Sequence, residues 1–177
     1  MKFLKLFRIK NIILILLIML NIALIFFIKP IKVEGTSMYP TYENNQYGFT
    51  IKYAPVAKQL ERFDVAILNH NGQKWVKRLI GMPGETIEYI DDVLYVNGAM
   101  MEEPFIKTEH FTSYKNDTGK LFTDNFSITL KEGEYLFLGD NRPYSLDSRR
   151  VGPFTLDDVV AKNLYAILDK DGLIIHR

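Results

Sequence analysis

The longest hydrophobic run of the chain lies near its amino terminus. Residues 11–28, NIILILLIMLNIALIFFI, carry no charge and contain two polar side chains, Asn11 and Asn21. A transmembrane helix needs about 17–25 mainly apolar residues, so the pattern predicts such a helix over residues 11–28. A cleaved secretory signal peptide is the alternative. Its apolar region is usually about 7–15 residues long and ends at a small-x-small site, whereas this run continues into IKPIKVEG. We therefore expect an uncleaved anchor.

After Pro30 the hydrophobic pattern changes to short runs separated by turn residues. These runs are YGFTIKY, DVAILN, KWVKRLIG, TIEYIDDVLYVNG, FSITL and EYLFLGD. Short alternating runs bounded by Gly, Asn and Asp are typical of β-strands. The pattern therefore predicts an all-β domain over residues 31–177.

Turn residues divide this domain further. Asp91-Asp92 and Asn97-Gly98 predict two hairpin turns. Residues 100–125 are rich in Lys, Thr, Asn and Asp, which predicts a variable polar excursion between two parts of the sheet. Thr155 is expected to cap one helical turn before the last strand.

Basic residues are distributed unevenly around the apolar run. Those before it are Lys2, Lys5, Arg8 and Lys10, and those close behind it are Lys29 and Lys32. The positive-inside bias places residues 1–10 in the cytoplasm. We therefore expect a single-pass protein of the cell membrane, with residues 31–177 outside the cell and the lipid bilayer as a partner.

Composition excludes several functional classes. With 177 residues and a net charge of +1, the chain has room for one core and lacks the basic footprint of a nucleic-acid-binding protein. It has no cysteine, which excludes disulfides, thiolate nucleophiles and cysteine-based zinc sites. We expect no cofactor and no metal, and the sequence indicates no oligomeric state.

Ser37 lies in VEGTSMYPT, soon after the predicted anchor. Taken alone, a serine among Gly, Thr and Pro is usually a turn residue, and a nucleophilic serine needs a base. The histidines are His70 in an expected hairpin turn, His110 in the polar excursion and His176 next to the last residue. None of these settings indicates a catalytic triad, so a histidine base is not expected.

Lys77 lies in a second stretch, KWVKRLIGMPGE. Strand alternation places Lys77 on one face with Trp75 and Leu79, and Arg78 on the other face. A lysine on an apolar face is an informative exception to the strand pattern. Taken alone, it is better interpreted as an edge-strand lysine that extends its ammonium to water.

The third stretch, FLGDNRPYSLDSRRVGPF, is a strand that runs into a polar loop. A calcium loop is one interpretation, but the spaced acidic ligands of an EF-hand are missing and the arginines would repel a cation. An internally hydrogen-bonded support loop fits the composition better.

Taken in order, the apolar anchor, GTSMYPT, FDVAI, VKRLIGMPGE and GDNRPYSLDSRRVG resemble the bacterial type I signal peptidases of the short Gram-positive kind. The resemblance covers nearly the whole chain. It implies a β-rich, membrane-anchored serine endopeptidase that cuts signal peptides from exported preproteins, with Ser37 as nucleophile and Lys77 as general base. It also implies small residues at the first and third substrate positions before the cut.

The resemblance implies supporting roles as well. Ser145 would hydrogen-bond the lysine amine, Asp140 would pair with Arg78, and Asp147 would pair with Arg149. Lysine must be neutral to act as a base, which burial among apolar side chains promotes.

The oxyanion of the reaction needs hydrogen-bond donors, and the Ser37 backbone N–H is the expected first one. Some relatives carry a serine two residues before the nucleophile, where this chain has Gly35. Gly35 permits a close backbone approach, and the Thr36 hydroxyl is left open as a second donor.

Two other classes of protein share parts of this pattern. A self-cleaving repressor of the related Ser-Lys fold would be cytosolic and carry a DNA-binding domain, which the apolar segment argues against. A catalytically restricted relative that acts in processing or assembly of surface structures such as pili would be expected to lose the serine or the lysine, and this chain has both. General and dedicated substrate sets are left open.

Overall fold

The computed structural model describes residues 2–51 and 59–168. Two parts of the sequence predictions lie outside the described residues: the end of the predicted YGFTIKY strand, at Lys52 and Tyr53, and the carboxy-terminal residues 169–177, which include His176. The described strands are β1 Ile28–Lys32, β2 Tyr47–Ile51, β3 Val65–His70, β4 Gln73–Gly81, β5 Thr86–Ile90, β6 Val93–Val96, β7 Ala99–Met101, β8 Phe126–Thr129, β9 Leu136–Leu138, β10 Val159–Lys162 and β11 Tyr165–Leu168. The described helices are α1 Lys2–Phe27, α2 Thr108–Thr118 and α3 Ser148–Val151, with 3₁₀ turns at Arg142–Tyr144 and Leu156–Asp158.

The strands form antiparallel sheets, as expected from the alternating runs. Over residues 2–51 and 59–168 their orders are β1-β2-β11, β10-β3-β4-β9 and β7-β6-β5-β8. The prediction of a β-rich domain is confirmed. The prediction that residues 31–177 are all-β is wrong in detail, because α2 lies inside this region.

Helix α2 occupies the centre of the polar excursion. Gly119 caps its carboxyl end in a left-handed conformation with φ +66°, and Lys115 on its last turn lies 2.8 Å from Asp92 of the β5–β6 hairpin. None of its residues is fully buried. A helix that buries no complete side chain lacks the apolar periodicity by which a sequence pattern is recognised, and this is why it was not predicted.

Helix α1 contains most of the hydrophobic run. Its described side chains are exposed along the whole stretch, as Ile12, Leu16 and Met19 illustrate at 56%, 61% and 62%. Searched over the described residues, the structure yields no helix that meets the length and apolarity expected of a membrane span.

Both predicted hairpins are confirmed. Ile90 pairs with Val93 around Asp91 and Asp92, whose φ angles of +52° and +71° are those of a tight turn. Val96 pairs with Ala99 around the Asn97-Gly98 turn in the same way. The expected helical turn after Thr155 also forms, and the Thr155 N–H donates to the Asp158 carboxylate at 2.8 Å.

Two apolar clusters support the region described next. One contains Val33, Met38 and Tyr42 and lies under the VEGTSMYPT segment. The other includes Leu79 and Phe137 of neighbouring strands β4 and β9, with Trp75 packed against it. The polar loop that follows β9 therefore starts from a buried strand beside β4.

Candidate active site

The segment that carries Ser37 is held from below by buried neighbours. Met38 is 2% exposed and Tyr42 is 1% exposed, and the Tyr42 hydroxyl donates to the Leu164 carbonyl at 2.7 Å. Ser37 itself is half-buried. The apolar residue on one side of the serine thus fixes the segment in the core, and its hydroxyl remains at the surface.

Lys77 of β4 lies directly against this serine. Its ammonium nitrogen Nζ is 2.6 Å from Ser37 Oγ, and the residue is only 4% exposed. The Trp75 ring lies 5.7 Å from Nζ, on the face that alternation predicted. The structure does not match the edge-strand alternative, in which the ammonium reaches water.

Burial lowers the pKa of Lys77 from its ordinary value of 10.5 to about 8, although the negative charges of Asp147 and Asp140 oppose the shift. At pH 7 this raises the neutral fraction of the amine from roughly one molecule in 3,000 to about one in ten. A neutral amine at hydrogen-bond distance can accept the proton of a serine hydroxyl. The pair therefore has the geometry and the protonation equilibrium of a nucleophile and its base.

The Arg78–Asp140 ion pair forms next to this pair, on the opposite face of β4. Arg78 Nε and Nη2 donate to the two carboxylate oxygens of Asp140 at 2.9 and 2.7 Å, and Arg78 Nη1 donates to the Phe63 carbonyl at 2.8 Å. Asp140 also accepts from the Thr41 hydroxyl at 2.5 Å. One carboxylate thus links β4, the loop after β9 and the chain segment that follows the serine.

The Asp147–Arg149 pair is local to the loop. Arg149 Nε and Nη2 donate to the Asp147 carboxylate at 2.8 and 2.7 Å, and the Gly139 N–H donates to it at 3.0 Å. Burial alone would raise the pKa of Asp147, but the hydrogen bonds from Arg149 and Gly139 outweigh burial and lower it. The carboxylate is therefore kept charged and ties the loop's far end to its start.

Ser145 does not make the contact that the family resemblance implies. Over the described residues its buried hydroxyl has no hydrogen bond of normal geometry, and Lys77 Nζ is engaged by Ser37 instead. The hydroxyl does lie near enough to Asp147 to help lower the pKa of that carboxyl. Ser145 is thus the one unsatisfied polar group beside the dyad in this part of the chain.

Gly139 permits the close approach of the loop to the serine. A Cβ at this position would collide with the Ser145 hydroxyl and the Ser37 carbonyl, and would lie 2.6 Å from Ser145 Cβ. Sequence reasoning did not single this residue out, although it lies inside the quoted loop motif.

Gly35 has a different reason for being glycine. Its φ is +85°, a conformation that favours glycine, and no described atom lies within 4 Å of the place a Cβ would take. The sequence-based prediction that Gly35 permits a close backbone approach is therefore not seen among the described residues of this chain. The Gly35 N–H donates to Asn44 Oδ1 at 2.9 Å, so this N–H is already occupied.

A buried network around Arg142 was also missed. Arg142 is 1% exposed, and its guanidinium donates to Gly139 O at 3.0 Å, to the Tyr89 hydroxyl at 2.7 Å and to Glu103 Oε1 at 2.5 Å. The loop is thereby fastened to β5 and to the start of the excursion. Arg142 stands in the quoted motif, but Tyr89 and Glu103 lie far away in sequence and carry no local signal.

A surface cavity of about 310 Å³ adjoins Ser37 and Lys77. Its apolar lining comes from Val33, Met38, Trp75, Val76, Tyr144 and Leu146. On this side β4 is available for pairing, since β3 occupies its other edge and β9 joins only from Arg78 onward among the described residues. An extended peptide placed here can add to β4 as a strand.

The remaining described histidines lie elsewhere. The His70 ring packs against Trp75 at 4.4 Å between centroids, and His110 of α2 contacts Asn141 in the loop after β9. Neither hydrogen-bonds to Ser37 within the described residues.

Comparison with known proteins matches this arrangement to one family. The family model "Signal peptidase, peptidase S26" matches residues 6–167. A signal peptidase I of Streptococcus pneumoniae is 35% identical over 84% of this chain and 86% of its own length, and signal peptidase I V of Bacillus subtilis is 40% identical over 73% and 79%. A crystal structure of a signal peptidase I from Enterococcus faecalis superposes with a TM-score of 0.51 at 38% identity, covering 59% of this chain and 96% of that one. The chain belongs to the signal peptidase family, peptidase S26.

Proposed function

We propose that this protein is a membrane-anchored serine endopeptidase that removes amino-terminal signal peptides from exported preproteins. The observation that carries the proposal is the 2.6 Å approach of the buried Lys77 amine to Ser37 Oγ, in a chain of the signal peptidase family. The self-cleaving repressor and the inactive assembly factor do not account for both facts.

In the proposed reaction the neutral Lys77 amine takes the proton of Ser37 as the oxygen attacks the scissile carbonyl. The resulting ammonium then gives that proton to the leaving amine, and an acyl-enzyme remains. Water, activated by the same lysine, hydrolyses the ester and frees the signal peptide. The Ser37 N–H is the donor that we assign to the oxyanion.

The remaining residues of the site have supporting roles in this proposal. The Arg78–Asp140 ion pair holds the loop after β9 against β4, and the Asp147–Arg149 ion pair joins the far end of that loop to its start. We assign the Ser145 hydroxyl to the lysine amine once a substrate excludes water from the site, because its unsatisfied state leaves it available.

The substrate is an extended peptide with small side chains near the cut. The free part of β4 offers backbone groups, and the cavity beside the dyad, which is lined by apolar residues and by polar ones such as Glu34 and Lys74, accepts side chains that alternate along a strand. This supports recognition by shape and main chain.

The anchor in this proposal is the uncharged segment 11–28, carried by α1 and the first residue of β1. Its described apolar side chains from Ile12 to Leu20 and at Ile22 are exposed, and a contiguous exposed apolar surface marks an interaction site such as a membrane. The basic residues of segment 1–10 favour a cytoplasmic amino terminus. The segment from Ile31 onward then faces the outside of the cell membrane.

Cleavage of a purified preprotein by the full chain in detergent micelles tests the proposal. We expect cutting at one bond after a small-x-small sequence, identified by mass spectrometry of both products, and no effect of EDTA. Ser37→Ala is expected to be inactive although folded. Lys77→Arg is also expected to be inactive, because guanidinium retains its proton at any workable pH. Full activity of either variant would refute the assigned mechanism, and cutting at unrelated bonds would refute the assigned substrate.

A further inference from the structure

Helix α2 of the polar excursion makes a hydrogen bond to the loop after β9 through one described side chain, that of His110. His110 Nε2 lies 3.2 Å from Oδ1 of Asn141. The imidazole ring is held edge-on between Tyr39 and Phe122, with centroid distances of 5.0 and 5.5 Å. The orientation of the His110 ring is therefore set by packing. Within the described residues, the polar contact of this ring is the one to Asn141.

Asn141 passes this contact on to the segment of the nucleophile. It is 4% exposed, its side-chain Nδ2 donates to the Thr36 carbonyl at 3.0 Å, and its backbone N–H donates to the Ser37 carbonyl at 3.0 Å. Because Nδ2 faces a carbonyl, Oδ1 must face the histidine, and His110 Nε2 must carry a hydrogen to donate.

The Thr36 carbonyl and the Ser37 N–H belong to the same peptide unit. In a planar trans peptide these two groups point in opposite directions. The Thr36 carbonyl accepts from Asn141 Nδ2 and also from the Tyr39 N–H at 3.1 Å. Asn141 therefore shares in fixing the direction of the Ser37 N–H, and it also polarises that N–H. The Ser37 N–H is the donor assigned above to the oxyanion.

We propose that His110 is a positioning residue for the oxyanion donor: its Nε2–H locks the amide of Asn141, and Asn141 in turn aims the Ser37 N–H. This assignment rests on the proposed function for its kinetic consequence. The proposal also gives the polar excursion a role, because His110 of α2 then orients a group of the catalytic centre. This helix lies outside the two segments that carry Ser37 and Lys77.

The test compares substitutions of His110 that separate packing from hydrogen bonding, in the full chain in detergent micelles. His110→Phe keeps an aromatic ring between Tyr39 and Phe122 but has no donor. His110→Gln places an amide N–H close to the position of Nε2. Ser113→Ala on the same helix removes only an exposed bond to Asp117 and serves as control.

We expect kcat of His110→Phe to fall about tenfold with KM changed less than about twofold, since the lost interaction acts in the transition state. His110→Gln should recover most of the rate, and Ser113→Ala should match the wild type. A second substitution tests the route: in an Asn141→Ala background, His110→Phe should cause no further loss. A further tenfold loss there, or equal rates for His110→Phe and wild type, would overturn the proposal.

A readout that does not depend on turnover separates this inference from the proposed function. In the ¹⁵N-serine spectrum the Ser37 amide signal, assigned by its absence in Ser37→Ala, should move in His110→Phe and return in His110→Gln. An unmoved signal in His110→Phe would refute the positioning role even if the enzyme cleaves preproteins. A moved signal with no cleavage by the wild type would support the role and refute the function.

Discussion

Replacing Lys77 with methionine is expected to abolish activity and at the same time stabilise the protein. The folded chain buries the lysine and lowers its pKa from 10.5 to about 8, so near neutral pH most molecules carry a buried ammonium. Methionine has a similar length and no charge to desolvate. Its thioether fits the same apolar surroundings beside Trp75 and Leu79.

The size of the gain follows from proton linkage. An unfolded chain loses the lysine proton near 10.5, whereas the folded chain loses it near 8. Between these values the unfolded state binds more protons, so the free energy of unfolding of the wild type rises with pH. Below pH 8 the lysine is protonated in both states, and the folded state bears the full free-energy cost of burying the charged ammonium. At about 1.36 kcal/mol per pKa unit, this cost is about 3 kcal/mol.

Urea unfolding of the full chain in micelles, followed by fluorescence of the single tryptophan, Trp75, measures the effect. At pH 7 we expect Lys77→Met to be more stable by about 3 kcal/mol, and at pH 9.5 by only about 1 kcal/mol. Lys74→Met, which replaces an exposed lysine of the same strand, should change stability by less than about 0.5 kcal/mol at either pH. Equal stability of Lys77→Met and wild type at pH 7, or a gain that is unchanged at pH 9.5, would refute the claim that Lys77 is a destabilising buried base.

Three further outcomes are expected. The wild-type kcat/KM for a soluble peptide should rise with pH to a plateau, with a midpoint near the Lys77 pKa of about 8; a flat profile between pH 6 and about 9 would contradict lysine as the base. Gly139→Ala should reduce kcat/KM by about a hundredfold or more, because its Cβ would displace the Ser37 carbonyl. Gly133→Ala, at a turn with open space around it, serves as control and should leave the rate within about threefold. Equal rates for both variants would exclude the close approach of Gly139 to Ser37. A flexible insertion of about 20 residues between Phe27 and Ile28 should slow cleavage of membrane-bound preproteins but not of a soluble peptide; equal slowing of both would indicate damaged folding instead.

Local patterns in the sequence predicted much of the fold. Period-two alternation places Trp75, Lys77 and Leu79 together, and turn chemistry located the hairpins at Asp91-Asp92 and Asn97-Gly98. Helix α2 was not predicted because it packs through edge-on aromatic contacts and one ion pair rather than through a buried apolar stripe. A pattern of burial cannot be recognised in a segment that buries no complete side chain.

The site was predictable only where its members share a motif. The ion pairs of Asp140 and Asp147 lie within or next to recognisable stretches, and both form in the structure. The hydrogen-bond partners of Arg142 do not lie in a recognisable stretch, because Tyr89 and Glu103 are 53 and 39 positions away from it in sequence. Only the tertiary arrangement brings a carboxylate from the excursion to a buried guanidinium, and an isolated sequence carries no sign of that proximity.

The link between the proposed anchor and the nucleophile is shorter and stiffer than its length in sequence indicates. Ser37 follows Ile28 by nine positions, a reach of at most about 32 Å for an extended chain. In the structure α1 ends at Phe27 and β1 begins at Ile28, and β1 pairs with β2 from Ile28 to Lys32. Most of the link is therefore part of a sheet, and the four residues 33–36 alone join this sheet to Ser37. If segment 11–28 spans the bilayer as proposed, a tether built as a strand would confine the serine to a narrow range of heights above the membrane surface. A signal peptide still embedded in the membrane would present its cleavage site in the same range, which would raise the effective concentration of the scissile bond. For the same reason a linker that is meant to test the tether has to enter before Ile28, because an insertion between Pro30 and Ile31 would interrupt β1 and disturb the fold together with the reach.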